Sequence, residues 1–141
     1  LPYHHPLMVA DRIAMLDHLT RGRVIFGVGP GQLPSDAHMM GIDVADSRRR
    51  MNEALDVIIP LLRGEVVTKK TDWFELRDAR CQLGCFTQPI VEMAVAAAVA
   101  PSGPRAAGKH GLGILSMAAT SDQGFDVLPA TWMGEQPALP L

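Results

Sequence analysis

The stretch that most limits what this chain can fold into runs from Gly22 to Arg50. It opens on an apolar run, Val24-Ile25-Phe26-Gly27-Val28, and breaks into the loop Gly29-Pro30-Gly31-Gln32-Leu33-Pro34. It then reaches a helix start carrying three consecutive arginines, Arg48, Arg49 and Arg50. A strand, a glycine- and proline-rich loop and then a helix is how α/β proteins present a ligand site at the carboxyl ends of their strands. Apolar residues at consecutive positions predict a strand covered on both faces, as in a parallel sheet.

The arginines add a chemical argument to this shape. A helix N-terminus carries partial positive charge and disfavours Arg. Three arginines there suit an anion seated nearby, and phosphate is the natural candidate. The same run also fits solvated arginines on the outer face of an amphipathic helix.

Along the chain, Pro6 suits the first turn of a helix over residues 7–19, with Val9, Ile13, Leu16 and Leu19 as its apolar stripe. Asp11, Arg12, Asp17 and His18 fall off that stripe, and Gly22 supplies the left-handed stop. Residues 35–40 read as a short helix inside the loop. Asp46 or Ser47 caps the next helix, whose apolar side is Met51, Ala54, Leu55, Ile58, Ile59 and Leu62. Pro60 weakens its last turns and Gly64 ends it. Residues 65–83 mix Val, Trp and Phe with charge around a Thr71-Asp72 turn, which predicts an inserted β-hairpin. Residues 92–99 are Ala-rich, but flanking Pro89 and Pro101 favour a strand. A short helix around Arg105 to Lys109 and a strand over Gly113 to Met117 follow. Pro129, Pro137 and Pro140 predict an irregular tail over residues 127–141, after a domain spanning residues 1–126.

Strands alternating with helices imply βαβ units and parallel pairing. The fold class is therefore α/β. A (β/α)₈ barrel takes about 250 residues, so 141 residues with three core strands read as about half of one, a partial TIM barrel with an inserted β-hairpin. The chain has no initiator Met and opens in what reads as a strand-to-helix loop, so a preceding part is expected to be missing. Open sheet edges would then leave the piece prone to aggregate or to pair as a homodimer.

The formal net charge of −2 argues against a nucleic-acid partner. No secretory signal is visible, and the apolar run from Met93 to Ala100 is too short to span a bilayer. Two cysteines, Cys81 and Cys85, make no disulfide framework, so a cytoplasmic location is expected. No two histidines have metal spacing with carboxylates, so no metal site is expected.

Three blocks, taken together, resemble the bacterial-luciferase-like, flavin-dependent monooxygenase family. The first is Leu1-Pro2-x-x-His5-Pro6 with Ala10-Asp11, Ala14, Leu16-Asp17, Leu19-Thr20 and Gly22-Arg23. The second is Phe26-Gly27-Val28-Gly29-x-Gly31, with Gly41 and then Ser47-Arg48. The third is Val95-Ala96-Ala97 through Pro101-Ser102-Gly103, then Ala107-Gly108-Lys109-His110-Gly111 and Leu115-Ser116. The nearest flavour is the limonene-type, terpene monooxygenase branch, over about residues 1–126.

The resemblance implies a TIM-barrel oxidoreductase that uses reduced FMN (FMNH₂), supplied by a separate flavin reductase, to insert one atom of O₂ into a small organic substrate. Some relatives use the deazaflavin F420 as a reductase cofactor instead. A truncated, non-catalytic half barrel is the alternative from a different class.

By the same resemblance, Arg48 matches the phosphate-binding arginine, leaving Arg49 and Arg50 as surface charges. Gly29, Pro30 and Gly31 line the barrel mouth at the flavin ring. A reactive cysteine and an arginine stand at the positions of Gly29 and Pro30 in the luciferase branch, and their absence argues against an aldehyde reaction. Ala100, Ser102 and Gly103 match a second phosphate loop, with Ala100 replacing a common Ser. An ordinary helix-cap role for Ser102 fits equally. The catalytic residues are unknown. His5 is expected to be structural, His38 lies in the mouth loop, and His18 and His110 read as helix-end residues. Trp73 and Phe74 are expected in the core of the hairpin.

Overall fold

The computed structural model describes residues 1–31, 33–98, 100–116 and 122–135. It forms two compact units, Leu1–Val24 with Pro30–Glu92, and Ile25–Gly29 with Met93–Leu141. No helix among the described residues is long and apolar enough to cross a membrane.

The first unit is built on two helices, α1 (Pro6–Thr20) and α3 (Ser47–Leu62), packed on each other. Between them lie α2 (Pro34–Met39) and a 3₁₀ turn (Val44–Asp46). The apolar side expected for α3 is buried, with Val57 and Leu61 added to it. Each such large side chain contributes roughly 1.5–3 kcal/mol on burial. Pro60 is accommodated in the last turn. The helix closes with Glu65 N–H on the Pro60 carbonyl and Gly64 N–H on that of Leu61, a Schellman pattern.

The stripe expected for α1 is corrected. Its buried residues are Pro6, Ala10, Ala14 and Asp17, whereas Leu16 is 42% and Leu19 71% exposed. Small side chains allow α1 to approach α3 closely, so the larger apolar residues are turned outward. At the stop, Gly22 is left-handed as expected, at φ 76°. Arg21, at φ 55°, is the first left-handed residue and Gly22 the second, with Gly22 N–H bonded to the Asp17 carbonyl.

The hairpin is present as β2 (Val67–Lys70) and β3 (Glu75–Ala79), antiparallel with a bulge between Val67 and Lys69. Its turn is held by Thr71, whose hydroxyl accepts from the N–H groups of Trp73 and Phe74.

The second unit is a three-stranded sheet in the order β1-β4-β5, from β1 (Ile25–Val28), β4 (Glu92–Ala97) and β5 (Gly113–Ser116). α4 (Ser102–His110) joins β4 to β5, which pair in parallel with Ala94 opposite Gly113 and Ala97 opposite Ser116. This is one βαβ unit. β4 is buried at Met93, Ala94, Val95 and Ala97, as a central strand of a parallel sheet should be.

β1 departs from that expectation. Phe26 and Val28 are buried, but Ile25 is 60% exposed, so burial alternates along it. β1 is an edge strand of this sheet and β4 its central one; α4 and α5 (Asp122–Glu135) pack on each other. The irregular tail expected from residue 127 is corrected for residues 127–135, which continue α5 through Pro129. Tertiary contacts offset the hydrogen bond that proline removes. The Trp132 indole N–H donates to the Leu112 carbonyl at 2.8 Å, and Arg105 pairs with Glu135 at 3.6 Å. Gly108 has no Cβ to meet the Trp132 carbonyl. Residues 136–141, Val99 and Met117 lie outside the described residues.

Candidate functional site

The site is built around the start of α3. Asp43 caps the 3₁₀ turn, its carboxylate accepting from the Ala45 N–H at 2.9 Å. Asp46 occupies the N-cap position of α3 but makes no side-chain cap, and the first turn contains no acidic residue. Asp46 is instead held by Arg49, at 3.0 Å from Nη2.

The three arginines take three different roles: Arg49 is exposed, as expected of a surface charge, and Arg50 is half-buried. Arg49 forks onto Asp72 of the hairpin turn, with Nη1 at 2.7 Å from Oδ1 and Nη2 at 2.9 Å from Oδ2. Its Nη1 also reaches Glu53 Oε1 at 3.1 Å. The hydrogen bonds that Arg49 donates to Asp72, Asp46 and Glu53 raise its pKa, and the donation from Arg49 holds the Asp72 carboxyl below the usual carboxylate range. The Arg50 guanidinium lies 5.4 Å from the centre of the Trp73 ring, a cation–π contact. The Trp73 indole N–H donates to Glu53 at 2.6 Å, and Phe74 is buried with its ring edge-on to Trp73. Two of the three positive charges therefore serve to dock the hairpin on α3.

Arg48 is exposed and lines a depression of about 330 Å³ together with Val44, Ala45 and Ser47. Ser47 is the first residue inside α3 and only 1% exposed. Its Oγ has no hydrogen-bond partner among the described residues. Sequence reasoning treated Ser47 as a capping candidate and as part of the Ser47-Arg48 block, not as a ligand group. The signal available was a polar residue one position before the arginine at a helix start. An open depression at a helix N-terminus, with an arginine and a buried hydroxyl on its wall, is suited to an anion.

Gly31 belongs to the same unit. It is exposed, sits at φ +62°, and its carbonyl accepts from the Tyr3 hydroxyl at 2.6 Å. A Cβ at Gly31 would meet the Tyr3 ring at 2.8 Å. Tyr3 was not singled out from sequence, because nothing in the N-terminal block marks a contact spanning 28 positions.

In the second unit, the end of β4 gathers the other candidates. Gly29 follows β1, and its Cβ position lies 3.6 Å from the Ala96 Cβ. Gly103 is buried, its Cβ position 3.0 Å from the Ala97 Cβ and 3.1 Å from the Ala96 carbonyl. Glycine here lets α4 approach the strand end closely. Ser102 is half-buried and opens α4, whereas Pro101 holds the N-cap position, so Ser102 is not the cap. Ala100 is exposed and Pro30 half-buried.

His5 is the N-cap residue of α1, its ring edge-on to Phe74 at 6.3 Å. His18 shares a hydrogen bond of 2.8 Å with the Gly84 carbonyl, which requires the Nε2–H tautomer. His38 is exposed in the last turn of α2, and His110 is half-buried at the end of α4. Cys81 and Cys85 are free thiols. Burial, aided by Asp11, pushes Cys81 up to about 12. Among the described residues no group of three His, Cys, Asp or Glu could hold a metal.

Compared with known families, residues 1–132 match the luciferase-like monooxygenase family, and the chain belongs to it. It is similar to limonene 1,2-monooxygenase of Rhodococcus erythropolis, 57% identical over 132 residues, covering 94% of this chain and 34% of that protein. It is 53% identical over 135 residues to 4-hydroxyprotoasukamycin monooxygenase of Streptomyces nodosus subsp. asukaensis, covering 94% and 36%. An F420-dependent glucose-6-phosphate dehydrogenase of Beutenbergia cavernae is 34% identical over 132 residues, covering 91% and 37%. The chain thus spans about a third of the length of these curated relatives.

Among solved structures, the fold is like that of monooxygenase RslO1 from Streptomyces bottropensis, with TM-score 0.82 at 24% identity, covering 97% of this chain and 44% of that one. It is also like the oxygenating constituent of 3,6-diketocamphane monooxygenase from Pseudomonas putida, a structure in complex with FMN. There the TM-score is 0.76 at 21% identity, covering 97% and 43%.

Proposed function

We propose that this chain is part of a TIM-barrel monooxygenase that uses reduced FMN and O₂ to oxygenate a small organic substrate. The observation that carries the reading is the placement of Arg48 in the first turn of α3, on the wall of the anion-suited depression. FMN ends in a phosphate monoester, and a helix N-terminus with an arginine is a seat for such a group. Similarity to limonene 1,2-monooxygenase and to an FMN-bound oxygenase fold supports the same cofactor and a small olefinic or cyclic substrate.

Within this reading Arg48 binds and orients the cofactor through its phosphate. Gly29, Pro30 and Gly31 give backbone room beside the flavin ring, and Tyr3 fixes the Gly31 carbonyl. Ser102 and Gly103, at the start of α4, offer a second set of donors, while Ala100 offers none from its side chain. Reduced FMN supplies the activation of O₂ when bound. A flavin reductase is the proposed source of FMNH₂. F420 is a second reading, favoured by the similarity to an F420-dependent dehydrogenase.

Titration of the purified protein with FMN, riboflavin and F420, followed by fluorescence, tests the reading. Saturable FMN binding that weakens at least 10-fold in Arg48→Ala, with riboflavin unaffected, is expected. FMN affinity unchanged by Arg48→Ala would refute the phosphate seat. Tight F420 binding without FMN binding would select the second reading.

A further inference from the structure

We propose that the Ser47 hydroxyl is a second phosphate donor beside Arg48, a binding residue for a phosphate monoester. This rests on the reading of the depression at α3 as the phosphate seat. Ser47 is 1% exposed, and its Oγ finds no hydrogen-bond partner among the described residues. A buried hydroxyl without a partner lowers stability. Alanine fills the same place without that cost, so packing alone gives no reason for serine here.

Helix capping gives no reason either. Ser47 is inside the helix, and α3 has no side-chain cap bond. The two carboxylates nearest in sequence are engaged elsewhere. Asp43 accepts from the Ala45 N–H and Asp46 from Arg49. What Ser47 does share is the depression lined by Arg48. A terminal phosphate presents three non-bridging oxygens. A guanidinium fork takes two of them, and a hydroxyl donor on the same wall takes the third. The hydroxyl thus acquires its partner from the ligand, which explains a serine that the protein alone does not satisfy.

This assignment makes stability and affinity move in opposite directions in one variant. Ser47→Ala removes the unpartnered group, so its melting temperature without ligand is expected to equal or exceed that of the wild type. Its affinity for FMN is expected to fall about 10-fold, the worth of one hydrogen bond to a charged group. Riboflavin, which lacks the phosphate, should bind both proteins equally. Titrations with FMN and riboflavin, with Arg48→Ala alongside, and melting curves of each protein read all of this.

FMN affinity unchanged in Ser47→Ala, with Arg48→Ala weakened, would overturn the serine assignment and leave the seat intact. A lower melting temperature, with FMN and riboflavin weakened alike, would make Ser47 a structural residue and also overturn it. FMN affinity unchanged in Arg48→Ala would remove the seat itself.

Discussion

Asp17 is the fully buried carboxylate of the first unit, and replacing it should be the most damaging polar substitution in α1. It sits in the last turn of the helix, where the macrodipole opposes a negative charge by about 0.3–1 kcal/mol. Two bonds from one residue 70 positions away hold it. Thr87 N–H donates to Oδ2 at 2.8 Å and Thr87 Oγ1 donates to Oδ1 at 2.9 Å. Each charge-assisted bond contributes about 1.5–3 kcal/mol. Asp17→Ala loses both and leaves the Thr87 N–H without its acceptor, while relieving the dipole and desolvation terms. A net loss of about 3 kcal/mol follows, or roughly 10 °C in Tm for a chain of this size. Asp17→Asn keeps one oxygen for the Thr87 N–H and offers an N–H to the Thr87 hydroxyl, so it should lose only about 1 kcal/mol. Urea unfolding followed by far-UV circular dichroism measures both. A loss below about 1 kcal/mol for alanine, or asparagine as damaging as alanine, would refute the reasoning.

The docking of the hairpin should be acid-sensitive. Arg49 holds the Asp72 carboxyl below its ordinary value, so this contribution is complete above the usual carboxylate range and is lost as pH falls through the lowered value. In a Trp132→Phe background the Trp73 fluorescence should report that loss below about pH 4, and Asp72→Asn should abolish the transition. Cys81, pushed up to about 12, should react with iodoacetamide at pH 8 far more slowly in the folded protein than in urea. Because the unfolded thiol ionises first, stability should fall as pH rises above about 9. Gly31→Ala should lose about 1–2 kcal/mol, since it adds a Cβ at positive φ against the Tyr3 ring. Urea titration of the Tyr3→Ala, Gly31→Ala double variant should recover the part due to contact.

The sequence made some of this legible and hid the rest for physical reasons. α3 was plain because its buried residues are large and apolar at helical spacing. β4 was readable despite its alanines because prolines bracket it. α1 misled because its packing face is made of Ala10, Ala14 and Asp17, while Met8, Met15, Leu16 and Leu19 are exposed. Periodicity weighs large apolar residues, and here small ones set the helix spacing. Pro129 misled because contacts of α5 with α4 outweigh the lost backbone bond.

At the site, the arginine run could be read as a cluster but not divided. Only the hairpin turn, more than 20 positions away, shows that Arg49 and Arg50 belong to Asp72 and Trp73. Family resemblance pointed to Arg48 alone. The buried hydroxyl beside it became visible only once burial and hydrogen bonding were known.

A crystal structure of this protein with FMN bound is the most direct test of the account. It should place the phosphate in the depression at the start of α3, with oxygens within hydrogen-bond distance of the Arg48 guanidinium and the Ser47 Oγ. Phosphate density elsewhere, with Arg48 and Ser47 making no contact to it, would contradict the account.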